Sequence, residues 1–253
     1  MTTEQMEIDD MARTRAANVL YREQMIGVAL VKADLPHHCD KGDLEAYCQA
    51  VPHFAPREHM AAYREIGETA QQWAAGLQRA YYAAPATGGY LGDVPGLLLL
   101  GTVGCGKSIL AAATLTTALS TCAGMSGLFC GVSDLFAEIR RRFGTHEDAD
   151  EPIRDAIEVD LLVLDDVGIR NVWRGDRHDD WIEETYYRII DGRLARGVPT
   201  IATSNAHNAE ELVAAVGERV ASRIIGHSGQ IEFSEIDLRR AGWTGLANEV
   251  RGQ

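Results

Sequence analysis

The chain has 253 residues, enough for one sizeable α/β domain with a small addition. Its composition, 46% hydrophobic and 24% charged, is that of an ordinary globular protein, with no run long enough for a membrane span and an N-terminus, MTTEQMEIDD, too acidic for a signal peptide. With 24 Lys and Arg against 37 Asp and Glu, the formal charge is −13, which excludes a broadly basic nucleic-acid surface and leaves room only for a local basic path.

The five Cys are scattered singly, with no CxxC, which argues against a disulfide scaffold and for a reducing, cytoplasmic setting. Residues 1–34 have apolar positions at helical spacing (Met6, Met11, Ala17, Leu20, Met25, Val28, Val31), so a helix is expected. It either packs on the main domain or binds a partner. Pro36 stops it. His37, His38, Cys39, Cys48 and His53 follow, without the paired spacing of a structural zinc site; they read as ordinary residues rather than ligands. Asp43 to Gln49 reads as one short helical stretch, and Pro56 to about Ala84 as a longer helix with Met60, Tyr63, Ile66, Ala70, Trp73, Leu77 and Tyr81 on its core face.

Leu97 to Leu100 is an apolar run of the kind that forms a buried parallel strand, and GTVGCGKS follows at once. This is the G-x-x-x-x-G-K-[ST] phosphate-binding pattern, in the required context of strand, glycine loop and helix. Gly101, Thr102, Val103, Gly104, Cys105 and Gly106 supply backbone amides for phosphate oxygens; Lys107 reaches the β and γ phosphates, and Ser108 can ligate Mg²⁺. Cys105 sits at a variable position and reads as packing. The helix after Ser108 runs to about Thr121, residues 127–132 read as a strand, and Ser133-Asp134 as the cap of a helix ending in Arg140, Arg141 and Arg142. That basic cluster is either a solvated helix end or a contact to nucleic-acid phosphate. The acidic HEDADEP after it reads as a linker.

Residues 159–166 read as a buried strand delivering two carboxylates at its C-terminal end, where an open α/β sheet binds its ligand. Asp165 is expected to hold Mg²⁺, through water or together with Ser108, and Asp166 to polarise an attacking water. Residues 169–180 read as a polar loop carrying Arg170, Arg174 and Arg177, and Trp181 to Arg196 as a helix closed by Gly197. Residues 199–205 read as an apolar strand ending at Asn205, which either bonds the attacking water or the γ-phosphate to sense hydrolysis, or caps the next helix. Glu218 to Ile225 reads as a helix with Arg219 and Arg223 four apart on one face, and residues 230–233 as a last strand.

Taken together, LLLLGTVGCGKS, DLLVLDDVG, WIEETYYRIIDGRLARGVPTIATSN, ERVASRIIGHSG and IEFSEIDLRR resemble the helicase-loader and transposition-helper branch of the AAA+ ATPases, the DnaC-type loaders and IstB-like proteins. The resemblance implies a P-loop α/β domain, a parallel sheet flanked by helices, over residues 51–253, preceded by a short helical segment, 1–50. It implies an ATPase using ATP and Mg²⁺ that forms an ATP-dependent oligomer, meets a replicative helicase and contacts single-stranded DNA. Arg223 then matches the arginine that reaches a neighbour's γ-phosphate, with Arg219 as the alternative; Asn205 matches sensor 1 and Arg239 sensor 2. The expected function is helicase loading; the competing ones are a transposition helper ATPase, a small-molecule kinase and a nucleotide-gated scaffold with little hydrolysis.

Overall fold

The computed structural model of the chain describes residues 42–83, 91, 94–168 and 179–240. The expected N-terminal helix, Pro36, His37, His38, Cys39 and the loop arginines Arg170, Arg174 and Arg177 lie outside them.

Five short strands make one all-parallel sheet: β1 (Gly96–Leu100), β2 (Gly127–Gly131), β3 (Leu161–Val167), β4 (Thr200–Ser204) and β5 (Ser228–Glu232), in the spatial order β2-β3-β4-β1-β5. Parallel pairing requires a crossover after each strand, and helices supply it. These are α3 (Lys107–Thr121), α4 (Val132–Arg142), α5 (Glu151–Glu158), α6 (Asp179–Arg196), α7 (Ala209–Val216) and α8 (Glu218–Gly226); α1 (Leu44–Phe54) and α2 (Met60–Ala83) precede the sheet. The leucine run of β1 is buried on both faces because the layers use alternate residues. Leu97 and Leu99 join Leu161, Val163 and Ile201 against α1, α2 and α3. Leu98 and Leu100 join Leu162, Leu164 and Ala202 against α4 to α8. The expected fold class, a parallel sheet between two helical layers, is the observed one.

Several element boundaries differ from the sequence reading, each for a local reason. Asp43 caps α1 through Ala46 N–H, and the helix continues through Pro52 to Phe54. Leu44, Tyr47 and Val51 are buried in the same core as the sheet, so α1 spans residues 50 and 51 as a single packed helix. Pro56 opens a turn, with His59 N–H donating to its carbonyl, and α2 starts only at Met60. No side chain caps α4: its N-cap is Gly131, and Ser133 and Asp134 lie inside the helix. The acidic stretch expected as a linker contains α5, with Pro152 in its first turn and Ile153 and Ala156 buried. Among the described residues no helix is long and apolar enough to cross a membrane.

Candidate nucleotide site

Because all five strands run the same way, their C-terminal ends meet at one rim, and residues far apart in sequence converge there. The loop after β1 departs from ordinary backbone at Gly101, Gly104 and Gly106, with φ of 148°, 85° and 103°. Gly104 is also closed sterically: a Cβ there would lie 2.2 Å from Asp237 Oδ1. Its carbonyl accepts from Leu238 N–H at 3.0 Å. Leu238 is buried, so the segment after β5 lies directly against the loop and brings Arg239 beside it. Arg239 itself is mostly exposed and pairs loosely with Asp237 at 3.6 Å.

From the other side the loop is held by α2. Tyr63 donates to the Cys105 carbonyl at 2.8 Å and stacks edge-on against Phe233, just past β5. Sequence periodicity identifies Tyr63 as a core position but gives no sign of this second bond. Cys105 is fully buried, and burial raises its thiol pKa, with Lys107 acting against the rise. Such a thiol stays protonated and packs.

Lys107 is the first residue of α3 and is 4% exposed. Its ammonium donates to the Gly101 and Thr102 carbonyls, each at 2.8 Å, and to Asn205 Oδ1 at 3.0 Å. Asn205 in turn donates to Asp166 Oδ1 at 3.4 Å. The side chain that caps α7 is Asn208, which accepts from Glu211 N–H at 2.8 Å; this leaves Asn205 turned to Lys107 and Asp166. Asp165 accepts from Thr203 Oγ1 at 2.7 Å, and the Ser108 hydroxyl lies near its carboxylate. Burial pushes its carboxyl above the usual range, and the nearby Thr203 and Ser108 hydroxyls oppose the rise. A hydroxyl and a carboxylate side by side at the end of the loop form an all-oxygen donor pair, the chemistry that Mg²⁺ prefers, and so these residues fit the ion.

The sequence of site residues 101–108, 165, 166 and 205 is thus brought together in space. Arg219 and Arg223 are not among them: they lie on α8, both over the Tyr187 ring, at 4.0 and 4.5 Å from its centre. Arg223 also bonds Asp191 at 2.9 Å and the Tyr187 hydroxyl at 3.0 Å. At the end of α4, Arg141 pairs with Glu138 and Glu147, Arg142 with Glu138 and Glu151, and Arg140 donates to the Phe136 carbonyl. A cavity of about 380 Å³ opens at the opposite rim, where β1, β4 and β5 begin, so void size does not mark this site.

The model of the IstB-like ATP binding proteins matches residues 58–223, well over half of the chain. The chain belongs to that family. The matched span holds the phosphate loop, both aspartates, Asn205 and the two arginines of α8, while Arg239 lies beyond it. The replicative helicase loader DnaC of Escherichia coli (strain K12) is 29% identical over 166 residues, 64% of this chain and 60% of that protein. The match therefore spans less than two thirds of the relative's length. Among solved structures, the DnaC helicase loader superposes with a TM-score of 0.60 at 21% identity, covering 79% of this chain and all of that one. AMPPCP-bound DnaA from Aquifex aeolicus superposes with a TM-score of 0.54 at 21% identity, covering 77% of this chain and 50% of that one. At these identities the superpositions establish the fold of this IstB-like chain.

Proposed function

We propose that this IstB-like protein is an ATP-dependent loader of a replicative DNA helicase. The observation that carries the reading is the convergence of Lys107, Asp165, Asp166 and Asn205 on one rim, within a chain similar to DnaC, which is named a helicase loader. The loop amides and Lys107 bind and orient the phosphates, and Lys107 offsets charge that develops on them. Ser108 and Asp165 hold Mg²⁺, which supplies Lewis-acid stabilisation when bound. Asp166 accepts the proton of the attacking water, and Asn205 keeps that carboxylate and Lys107 in register. Arg239 approaches the phosphates from the segment docked on Gly104.

Arg223, with Arg219 as the alternative, acts on the nucleotide of a neighbouring copy. Its bonds to Asp191, the Tyr187 hydroxyl and the Arg219 carbonyl fix the guanidinium in place on α8. Single-stranded DNA is contacted through Arg140, Arg141 and Arg142. For that, Arg141 exchanges its surface carboxylates for phosphate, which costs little because exposed ion pairs are weak, and the more buried Arg142 must also leave Glu138 and Glu151.

The IstB-like family match also favours a second reading, a helper ATPase for transposition, which would use the same nucleotide residues. Co-purification with the host replicative helicase separates the two. A loader co-elutes with the helicase when ATP is present and fails to do so as Lys107→Ala. Absence of any helicase complex, with ATP turnover intact, overturns the loader reading and leaves the helper.

A further inference from the structure

We propose that Thr203 is a positioning residue for the two carboxylates: its hydroxyl fastens a one-residue bulge in β3 that turns both Asp165 and Asp166 toward the nucleotide rim. The inference rests on the ATPase reading above. In a regular strand, neighbouring side chains point to opposite faces, so adjacent aspartates cannot both serve one ligand. Here the pleat is broken at that point. Leu164 pairs with Ala202 and Val167 with Ser204, three steps along β3 against two along β4. Asp165 and Asp166 therefore share one partner, Thr203, in a bulge that re-aims a side chain. Asp166 has φ of 63°, the one positive value outside glycine among the described residues. Such a conformation is unfavourable for a residue with a side chain and persists only where its surroundings hold it.

Thr203 is fully buried and supplies that hold. Its Oγ1 accepts from the Asp166 amide at 2.9 Å and donates its single proton to Asp165 Oδ1 at 2.7 Å. One hydroxyl thus fixes the backbone of one aspartate and the carboxylate of the other. Ser204 closes the far end of the bulge by donating to the Val167 carbonyl at 2.8 Å. Asp166 then has a further partner of its own in Asn205. Two residues beyond Thr203 on the same chain lies Asn205, so a shift of this bond is felt at Lys107 through Asn205 as well.

Thr203→Val keeps the shape and removes both bonds; Thr203→Ser keeps the hydroxyl. In Thr203→Val, ATP affinity in EDTA stays within about threefold of wild type, while the gain in affinity on adding Mg²⁺ falls about tenfold, as for other residues that orient metal ligands. Turnover (kcat) falls about a hundredfold with a much smaller change in KM, because the carboxylates are misplaced rather than removed. Exchange of the Asp166 amide, followed by hydrogen–deuterium exchange with fragmentation, speeds up about five- to tenfold, the equivalent of one hydrogen bond. Thr203→Ser restores all three readouts to near wild type. An unchanged Mg²⁺ gain and kcat in Thr203→Val, or a Thr203→Ser variant as impaired as Thr203→Val, overturns the proposal. If Thr203→Val does not fold, the wild-type protein decides alone: a fast-exchanging Asp166 amide contradicts the bulge bond. A wild-type protein that binds no ATP sinks the ATPase reading instead, and leaves the exchange result to stand by itself.

Discussion

The Lys107 ammonium has three protons and three oxygen partners, two loop carbonyls and Asn205. A phosphate that enters the loop competes for those protons with a stronger, charged acceptor. Lys107→Ala is therefore expected to lower nucleotide affinity by about 2–4 kcal/mol, read by calorimetry, since charged hydrogen bonds are lost with no substitute. The carboxylates separate by partner. Asp165→Asn should abolish the Mg²⁺-dependent part of nucleotide binding, because Ser108 and Asp165 make the oxygen pair. Asp166→Asn should bind nucleotide almost normally and hydrolyse it at least about a hundredfold more slowly, as expected when a general base is lost. Equal loss of binding in both would mean that the two roles are wrongly divided. The phosphate loop and the paired aspartates were legible because their residue types are dictated by chemistry. The bulge between them was not, since an apolar strand ending in two aspartates looks the same with or without an extra residue. Nor was the Tyr63 bond to the loop, which uses a residue that periodicity already explains as core.

At the scale of elements, two sets of arginines behave in opposite ways. Arg193, on α6, is 1% exposed and pairs with no carboxylate among the described residues. Burial lowers its pKa, and its three nitrogens instead donate to the Ala156, Ile157, Val159, Asp160 and Pro199 carbonyls and to Thr200 Oγ1. It closes the end of α5 and the entries to β3 and β4. Arg193→Leu should cost about 3–5 kcal/mol in urea unfolding, because it strands several buried acceptors at once, and Arg193→Lys should recover only part of that. A loss below about 1 kcal/mol would mean that water takes over the carbonyls.

Of the arginines of α4, Arg141 is exposed and Arg142 half-buried, and both are paired with carboxylates. Hydrogen bonds from Arg141 and then Arg142 hold Glu138 down to about 2, below its ordinary value of 4.5. A carboxyl lowered on folding adds stability above its unfolded pKa and loses it as pH falls through the folded one. The contribution of this clasp should thus fade between about pH 4.5 and 2 and shrink with salt at every pH, and Glu138→Gln should remove that fading. Changing Arg140, Arg141 and Arg142 together to Ala should weaken single-stranded DNA binding and flatten its salt dependence. Unchanged affinity and slope would leave the cluster as a clasp alone. The helix that this clasp joins, α5, was illegible because an acidic run with one proline reads as linker until Ile153 and Ala156 are seen to be buried.

Over the whole molecule, sheet order decides which residues can meet. Placing β4 between β1 and β3 sets Asn205 between Lys107 and Asp166, and placing β5 on the other flank of β1 returns the chain to Gly104. Strand order leaves no local trace in a sequence; only resemblance to a family carries it. The same architecture puts Arg219 and Arg223 on α8, held over Tyr187 and away from Lys107, Asp165 and Asp166 of their own chain. Under the proposed function, turnover needs an arginine from the next copy. Mixing subunits tests it most directly. Arg223→Ala and Asp166→Asn should each bind ATP and turn it over hardly at all. Combined in equal amounts they should regain about a quarter of the wild-type rate, since random head-to-tail pairing joins an intact Asp166 to an intact Arg223 at one interface in four. No recovery in that mixture, nor with Arg219→Ala in place of Arg223→Ala, from a protein that stays monomeric with ATP, would contradict the account.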